Sequence, residues 1–246
     1  MTVRILSLAC FLVAFQGAAA TPPSLFGKKA DPTPPALNLP WQELSEKARK
    51  LATQVLEKPT LVSKGPSETF PCTPEQYFWL LDHPERCVVA WRRMGAKCAN
   101  ITRRGDGAFG FTDELGSEVV WETLYRSKEI HLWYAEGKVR PGPVLPMVPI
   151  QAIVVLRHKE AKADDGVLTI QHVTEMVLHT DSKVAASITK MMGQSSQKVA
   201  EQGLGQLQLF FSGLSWYLDR HPNQRETLFR TDDAPGTILP AGGKSR

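Results

Sequence analysis

The chain has 246 residues, of which 42% are apolar and 22% are charged, and its formal net charge is +4. This composition is typical of a globular protein with one substantial domain or two small ones. The basic residues include isolated pairs, such as Arg92-Arg93 and Arg103-Arg104, and do not form one stripe. Nucleic-acid binders concentrate Lys and Arg on one face, so that class of function is not favoured.

The first twenty residues have the pattern of a secretory signal peptide. Arg4 precedes an apolar run from Ile5 to Phe15, and small residues stand at Ala18 and Ala20. We therefore expect cleavage after Ala20 and a periplasmic or extracellular protein. The alternative is an uncleaved anchor, although an apolar run of about 11 residues is shorter than the roughly 20 that span a bilayer.

Both flanks of the remaining chain differ from a folded domain in composition. Residues 21–40 hold six prolines and no periodic apolar pattern, which predicts a flexible spacer. Residues 223–246 are polar and rich in turn residues, which predicts a disordered tail. The folded domain is therefore expected over residues 41–222.

Three cysteines follow the predicted cleavage site: Cys72, Cys87 and Cys98. In an exported protein the expected outcome is one disulfide among them, and the sequence leaves the pairing open. A zinc site is less favoured, because there is no C-x-x-C motif and a fourth ligand is missing.

Helical patterns occupy the first half of the domain. Residues 41–58 place apolar side chains at helical spacing and charges opposite them, and Leu61-Val62 forms a short strand-like piece. Thr73 and Pro74 suit the start of a second helix. Asp82, with Glu85 three residues on, suits the start of a third, so residues 74–95 are expected to form two short helices.

A run of strand-like segments follows residue 98, rich in Val, Ile, Trp, Tyr, Phe and Thr and separated by turn sequences. Short joins between such segments predict an antiparallel meander. Alternation places Leu168, Ile170, His172, Met176 and Leu178 on one face of the last segment, with a matching row at Ile150, Ala152, Val154 and Leu156. The six predicted strands are 99–104, 108–113, 118–126, 129–138, 149–158 and 166–178.

The end of the domain is predicted to be helical in two pieces, 183–192 and 195–221, with Gly193 between them. The second piece carries a continuous apolar stripe. Two glutamines and two serines interrupt its sequence, which does not favour a membrane span. The stripe residues are Ala200, Leu204, Leu207, Phe211, Leu214 and Leu218.

This order of elements resembles the START-like (SRPBCC, helix-grip) superfamily over residues 59–221. The resemblance implies an α+β fold in which an antiparallel sheet of six to seven strands wraps around a long C-terminal helix. It also implies a hydrophobic cavity of the kind that holds lipids, sterols or aromatic compounds in that superfamily. It transfers no catalytic residue, because no position of this chain matches a catalytic motif.

The leading hypothesis is an exported domain that binds a lipid or another apolar small molecule without chemistry. Peripheral membrane contact is compatible with it, and ligand identity and oligomeric state are left open. No cofactor, metal site or catalytic residue is predicted, since G-x-S-x-G, H-E-x-x-H and Walker motifs are absent from the sequence. The predicted ligand contacts are Trp121, Tyr134, His172, Met176, Leu207 and Phe211.

Two other classes of function remain open at this stage. A structural or interaction protein of the cell envelope would have a solid core and an exposed apolar patch. An enzyme of the cyclase or hydrolase kind would use His172 or Glu122 as the acid-base group, with both facing one void. The other histidines on or near strands, His131, His158 and His179, are not assigned a role.

Overall fold

A computed structural model describes residues 37–140, 143–164, 166–182 and 194–230. The predicted signal peptide and the predicted helix at 183–192 lie outside these residues, as does most of the predicted spacer and tail. Among the described helices, none combines the length and the hydropathy needed to cross a bilayer.

One antiparallel sheet of eight strands organises the described chain. The strand order is β1-β8-β7-β6-β5-β4-β3, and β2 also pairs with β8. The strand not predicted from sequence is β2, which is four residues long in a turn-rich segment and too short to show alternation. The strands are β1 Leu61–Lys64, β2 Glu68–Pro71, β3 Asn100–Gly105, β4 Ala108–Thr112, β5 Glu118–Arg126, β6 Ile130–Val139, β7 Val148–Lys162 and β8 Leu168–His179.

Five α-helices and one 3-10 turn accompany the sheet in the described residues. Ser45 and Thr73 cap the first two helices, accepting hydrogen bonds from the backbone N–H groups of Ala48 (3.1 Å) and Gln76 (3.3 Å). The prediction that Asp82 caps the third helix is wrong, because Asp82 ends the second and Pro84 begins the third. The helices are α1 Glu46–Leu56, α2 Pro74–Asp82, α3 Pro84–Arg93, α4 Gln194–Arg220 and α5 Arg225–Phe229, with the 3-10 turn at Pro222–Gln224.

The two faces of the sheet are covered by different helices. The face that packs against α4, called the inner face below, carries Trp133, Val154 and Met176. The opposite, outer face carries Leu132, Tyr134, Ile153 and Val155 and packs against α1. Strands β6 and β7 are therefore buried on both sides, which removes the apolar–polar alternation expected of a sheet with one solvated face.

Helix α4 is buried along more of its circumference than its apolar stripe suggests. Leu204, Leu214 and Leu218 are at most 1% exposed, as the stripe predicts. Gln208 and Ser215 are equally buried, so the polar interruptions also face the protein. The antiparallel sheet packed around this long C-terminal helix is the helix-grip architecture expected from the order of elements.

Residues beyond the predicted limits of the domain pack against it at both flanks. Leu37 and Leu39 are buried in the outer cluster with α1, because their side chains complete the cover over the outer face. At the other end Phe229 packs edge-to-face on Trp79 at 5.2 Å. Arg93 Nη1 also donates to the carbonyl oxygens of Thr227 and Leu228, both at 2.8 Å. The packed domain thus includes residues predicted as spacer and tail.

The predicted disulfide does not form among the described cysteines, which are all free thiols. Each buried thiol contacts a different element. Cys72 accepts a hydrogen bond from Ser215 Oγ of α4 at 3.4 Å, whereas Cys87 donates to the Leu80 carbonyl oxygen of α2 at 3.5 Å. Burial raises the pKa of Cys72 to about 12, so this thiol stays protonated at neutral pH.

Candidate functional site

A cavity of about 130 Å³ lies between the inner face of the sheet, the α2–α3 corner and the middle of α4. Its walls are almost entirely apolar, and the three polar residues among the twenty that line it are Asp113, Ser117 and Arg140. The apolar lining consists of Leu81, Pro84, Ile101, Phe111, Val119, Trp121, Trp133, Ala135, Val139, Ile150, Ala152, Val154, Met176, Leu178, Leu207, Phe210 and Phe211.

The three polar residues come from neighbouring chain segments: the connection between β4 and β5, and the residue after β6. Asp113 Oδ1 accepts hydrogen bonds from the backbone N–H groups of Leu115 (2.9 Å) and Ser117 (2.8 Å). Ser117 Oγ accepts one from the backbone N–H of Arg140 at 3.0 Å. This bond ties the β4–β5 connection to the end of β6. Ser117 and Arg140 therefore line the same part of the cavity.

Four of the six predicted ligand contacts line this cavity: Trp121, Met176, Leu207 and Phe211. Trp121 packs against Phe109 with ring centroids 5.3 Å apart. Trp121 of β5 and Met176 of β8 point from the inner face of the sheet toward α4, which carries Leu207 and Phe211. That these four side chains contact a ligand stays a prediction.

Tyr134 does not line the cavity, because it lies on the outer face of β6. Its hydroxyl donates to Glu136 Oε2 at 2.9 Å and accepts from Gln151 Nε2 at 3.0 Å. Trp133, the preceding residue, lines the cavity instead. The sequence contained a signal for this orientation. The charged, exposed Glu136 and Lys138 lie two and four residues after Tyr134 and therefore on the same face of the strand.

His172 also lies away from the cavity, although it is on the inner face as predicted. Its Nδ1 is 2.8 Å from Tyr77 Oη, and its Nε2 is 3.2 Å from Glu68 Oε2. Ser212 Oγ donates to the same carboxylate oxygen at 3.0 Å. Burial opposes ionisation of Glu68, but the hydrogen bonds from His172 and Ser212 outweigh it and hold its pKa below the ordinary value. These hydrogen bonds link side chains from β2, β8, α2 and α4.

Two further histidines are buried on the inner face near the start of β6. His158 lies opposite His172 in the β7–β8 register, and His131 stacks on Trp133 at 4.5 Å. Burial lowers the pKa of His131 to about 3 and that of His158 to about 4. Both imidazoles are therefore neutral at neutral pH.

His179 is separate from the other sheet histidines. Its Nδ1 is 2.6 Å from the carbonyl oxygen of Lys58, at the end of β8. Within the described ranges, no three His, Cys, Asp or Glu side chains are arranged to hold a metal ion.

Glu122 and His172 do not share a void. Glu122 lies on the outer face of β5, where its carboxylate pairs with Lys47 of α1 at 2.7 Å. His172 is on the inner face, so the sheet separates the two side chains. The arrangement that the acid-base hypothesis requires is therefore not formed by this pair.

Gly213 on α4 serves close packing, whereas Gly205 has room for a side-chain atom. A Cβ at Gly213 would lie 3.0 Å from two ring carbons of Trp91, and one at Gly205 would lie 3.6 Å from Pro66. Trp91 Nε1 donates to the carbonyl oxygen of Phe210 at 2.9 Å. This contact fixes the part of α4 that carries Phe210 and Phe211 over the cavity.

No protein-family model matches the chain, and no curated protein matches its sequence. Solved structures do match its fold. A conserved protein from Geobacillus kaustophilus has 14% identity and a TM-score of 0.42, with 62% of this chain and 96% of that chain covered. Ara h 8.0201 has 14% identity and a TM-score of 0.32, with 58% and 98% covered.

The protein XoxI from Bacillus cereus is a further match, with 13% identity, a TM-score of 0.32, and 60% and 97% of the two chains covered. These likenesses are too distant to bear on what the chain binds. The case for function therefore depends on the cavity and its residues.

Proposed function

We propose that this chain is an exported START-like domain that binds a small apolar molecule in the cavity between the sheet and α4. The observation that carries the proposal is the cavity lining, in which seventeen of twenty residues are apolar. Apolar clefts with a few placed polar groups are the usual form of small-molecule sites. The three polar residues meet at one end, so a bound molecule would have a defined orientation.

The size of the cavity restricts the ligand. An engineered apolar cavity of about 150 Å³ stays dry and binds benzene. The present cavity of about 130 Å³ is similar in volume and lining. We therefore favour a ligand with a single ring or a short hydrocarbon chain over a complete lipid, which would require displacement of α4 or its neighbours.

The two other hypotheses are less well supported. A structural protein of the cell envelope would have a solid core, and the cavity counts against that. The acid-base hypothesis needs Glu122 and His172 on one void, and the sheet separates them. Export is proposed from the composition of residues 1–20, and N-terminal sequencing of the secreted protein would test it.

The proposal is tested by saturation-transfer NMR with toluene as the probe. Ala152 lies in the cavity wall on β7 and is 3% exposed, so Ala152→Leu would fill part of the space. We expect toluene binding in the wild type and at least tenfold weaker binding in Ala152→Leu, because the added side chain occupies the ligand volume.

The matched control is Ala161→Leu, the same change on the same strand at an exposed position outside the cavity. It should leave toluene binding unchanged. Absence of toluene binding in the wild type, or equal loss in both variants, would contradict the proposal. Native mass spectrometry and solvent extraction of the purified protein would show whether a larger ligand, such as a lipid, co-purifies.

A further inference from the structure

Two side chains that line the polar end of the cavity carry hydrogen-bond donors without an acceptor among the described residues. Arg140 Nε is buried and has no hydrogen-bond partner among the described residues. Ser117 is 3% exposed, and its Oγ accepts a hydrogen bond from the Arg140 backbone N–H, while its own hydroxyl hydrogen has no acceptor among the described residues. Both side chains line the same cavity.

The guanidinium of Arg140 also lacks a charge partner in the described ranges. Its side chain forms no ion pair there, and its one hydrogen bond runs from Nη1 to the Leu145 carbonyl oxygen at 3.5 Å. Nε and Nη2 therefore have no acceptor among the described residues. Arg140 is half-buried, but its Nε is shielded from solvent without a partner, which is costly, and a carboxylate could satisfy Nε and Nη2 with two parallel hydrogen bonds.

The acidic residue at this end does not fill that role. Asp113 Oδ1 is occupied by the backbone N–H groups of Leu115 and Ser117, and Asp113 is not within ion-pair distance of Arg140. Its role is to hold the β4–β5 connection in the shape that presents Ser117. The donors therefore remain available to a bound molecule.

We propose that the ligand is a small apolar carboxylic acid whose carboxylate binds Arg140 and Ser117 while its apolar part fills the cavity. This inference rests on the proposed function and specifies its ligand class. The apolar body contacts the inner-face side chains, such as Trp121 and Trp133, and the charged end defines its direction.

The test compares three probes of similar size: toluene, benzyl alcohol and benzoate. A hydrogen bond to a charged group contributes about 1.5–3 kcal/mol, which corresponds to roughly 10- to 100-fold in affinity. We expect benzoate to bind the wild type at least tenfold more tightly than benzyl alcohol. Arg140→Met should reduce or remove this preference, and Arg140→Lys should retain part of it.

Lys138→Met is the control for general charge effects, because Lys138 is an exposed cation two residues before Arg140 and outside the cavity lining. It should leave the preference intact. Binding of toluene without a preference for benzoate would overturn the inference and leave the proposed function standing. A preference that survives Arg140→Met, or that Lys138→Met removes equally, would also overturn it. Absence of binding by all three probes would overturn both.

Discussion

The indole of Trp91 on α3 lies against Gly213 on α4, where a Cβ would come within 3.0 Å of two of its ring carbons. The same indole donates through Nε1 to the carbonyl oxygen of Phe210. Helix α3 is thus joined to α4 one turn from the residues that cover the cavity. This contact explains why a helix with a wide apolar surface contains a glycine at this position.

Gly213→Ala is expected to lower stability despite the better helix propensity of alanine. The propensity gain is about 1 kcal/mol, whereas overpacking a rigid buried ring costs about 1–3 kcal/mol. In a Trp91→Ala background the clash is absent, so the same change should raise stability. Urea denaturation of the four proteins in this double-mutant cycle measures the change of sign.

Gly205→Ala is the control on the same helix, since its Cβ would make ordinary contacts with Pro66 at 3.6 and 3.8 Å. It should raise stability by up to about 1 kcal/mol. If Gly213→Ala stabilises the protein that retains Trp91 as much as Gly205→Ala does, then Trp91 does not pack closely against Gly213.

The buried histidines predict a loss of stability in acid. An unfolded histidine binds its proton near pH 6.5, whereas folded His158 and His131 do so only near pH 4 and 3. Below pH 6.5 unfolding therefore takes up protons, and the free energy of unfolding falls as the pH is lowered toward 4. Arg126 and His172 act on His158 in the same direction, because positive charges disfavour a further one.

Denaturant titrations between pH 7.5 and 4.5 measure this slope. His158→Gln should make it shallower, because one of the proton-linked groups is removed. His221→Gln, at an exposed site, should retain the wild-type slope. A slope that is unchanged by His158→Gln would refute the assignment.

Tyr77→Phe is expected to destabilise the domain by about 1–2 kcal/mol, because it leaves the buried Nδ1 of His172 without its 2.8 Å partner. Tyr134→Phe removes a hydroxyl whose partners, Glu136 and Gln151, are near solvent, so its effect should be smaller. Thermal and urea denaturation of both variants measure the difference. Equal losses would argue against the chain of contacts from Tyr77 to Glu68.

The three described cysteines are expected to react slowly with alkylating reagents. Burial raises the pKa values of Cys72, Cys87 and Cys98, which lowers the reactive thiolate fraction at neutral pH. Iodoacetamide should modify Cys98 first, because its side chain is half-buried whereas the other two are buried. Protein that begins after Ala20 should yield three thiols when it is denatured without reductant; a yield of one would mean that a disulfide forms.

Much of the fold followed from local patterns. Segments rich in β-branched and aromatic residues between turn sequences predicted six of the strands, and the spacing of Leu204, Leu214 and Leu218 predicted the buried side of α4. Such patterns are readable because the repeat of a helix or strand is set by its own backbone. Strand β2 was not predicted because four residues are too few to show alternation. The predicted disulfide is wrong because the number of cysteines does not determine the distances between them.

The candidate site could be predicted only in part. Met176 lies on β8, where alternation along the sequence indicated the inward-facing residues, and Trp121 was predicted as a large aromatic side chain. Tyr134 lies on β6, which is buried on both faces. Burial from both sides erases the polar–apolar contrast on which parity depends. The exposed Glu136 and Lys138 near the end of β6 were the remaining clue.

The sequence by itself determined the order of elements, the helical stripe and the supply of large apolar side chains, because these depend on neighbours along the chain. Only the tertiary structure decided that Arg140 and Ser117 meet at one end of an apolar cavity. Their proximity depends on the register between β5 and β6, which places the β4–β5 connection beside the end of β6. No local pattern specifies such a pairing between residues 23 positions apart.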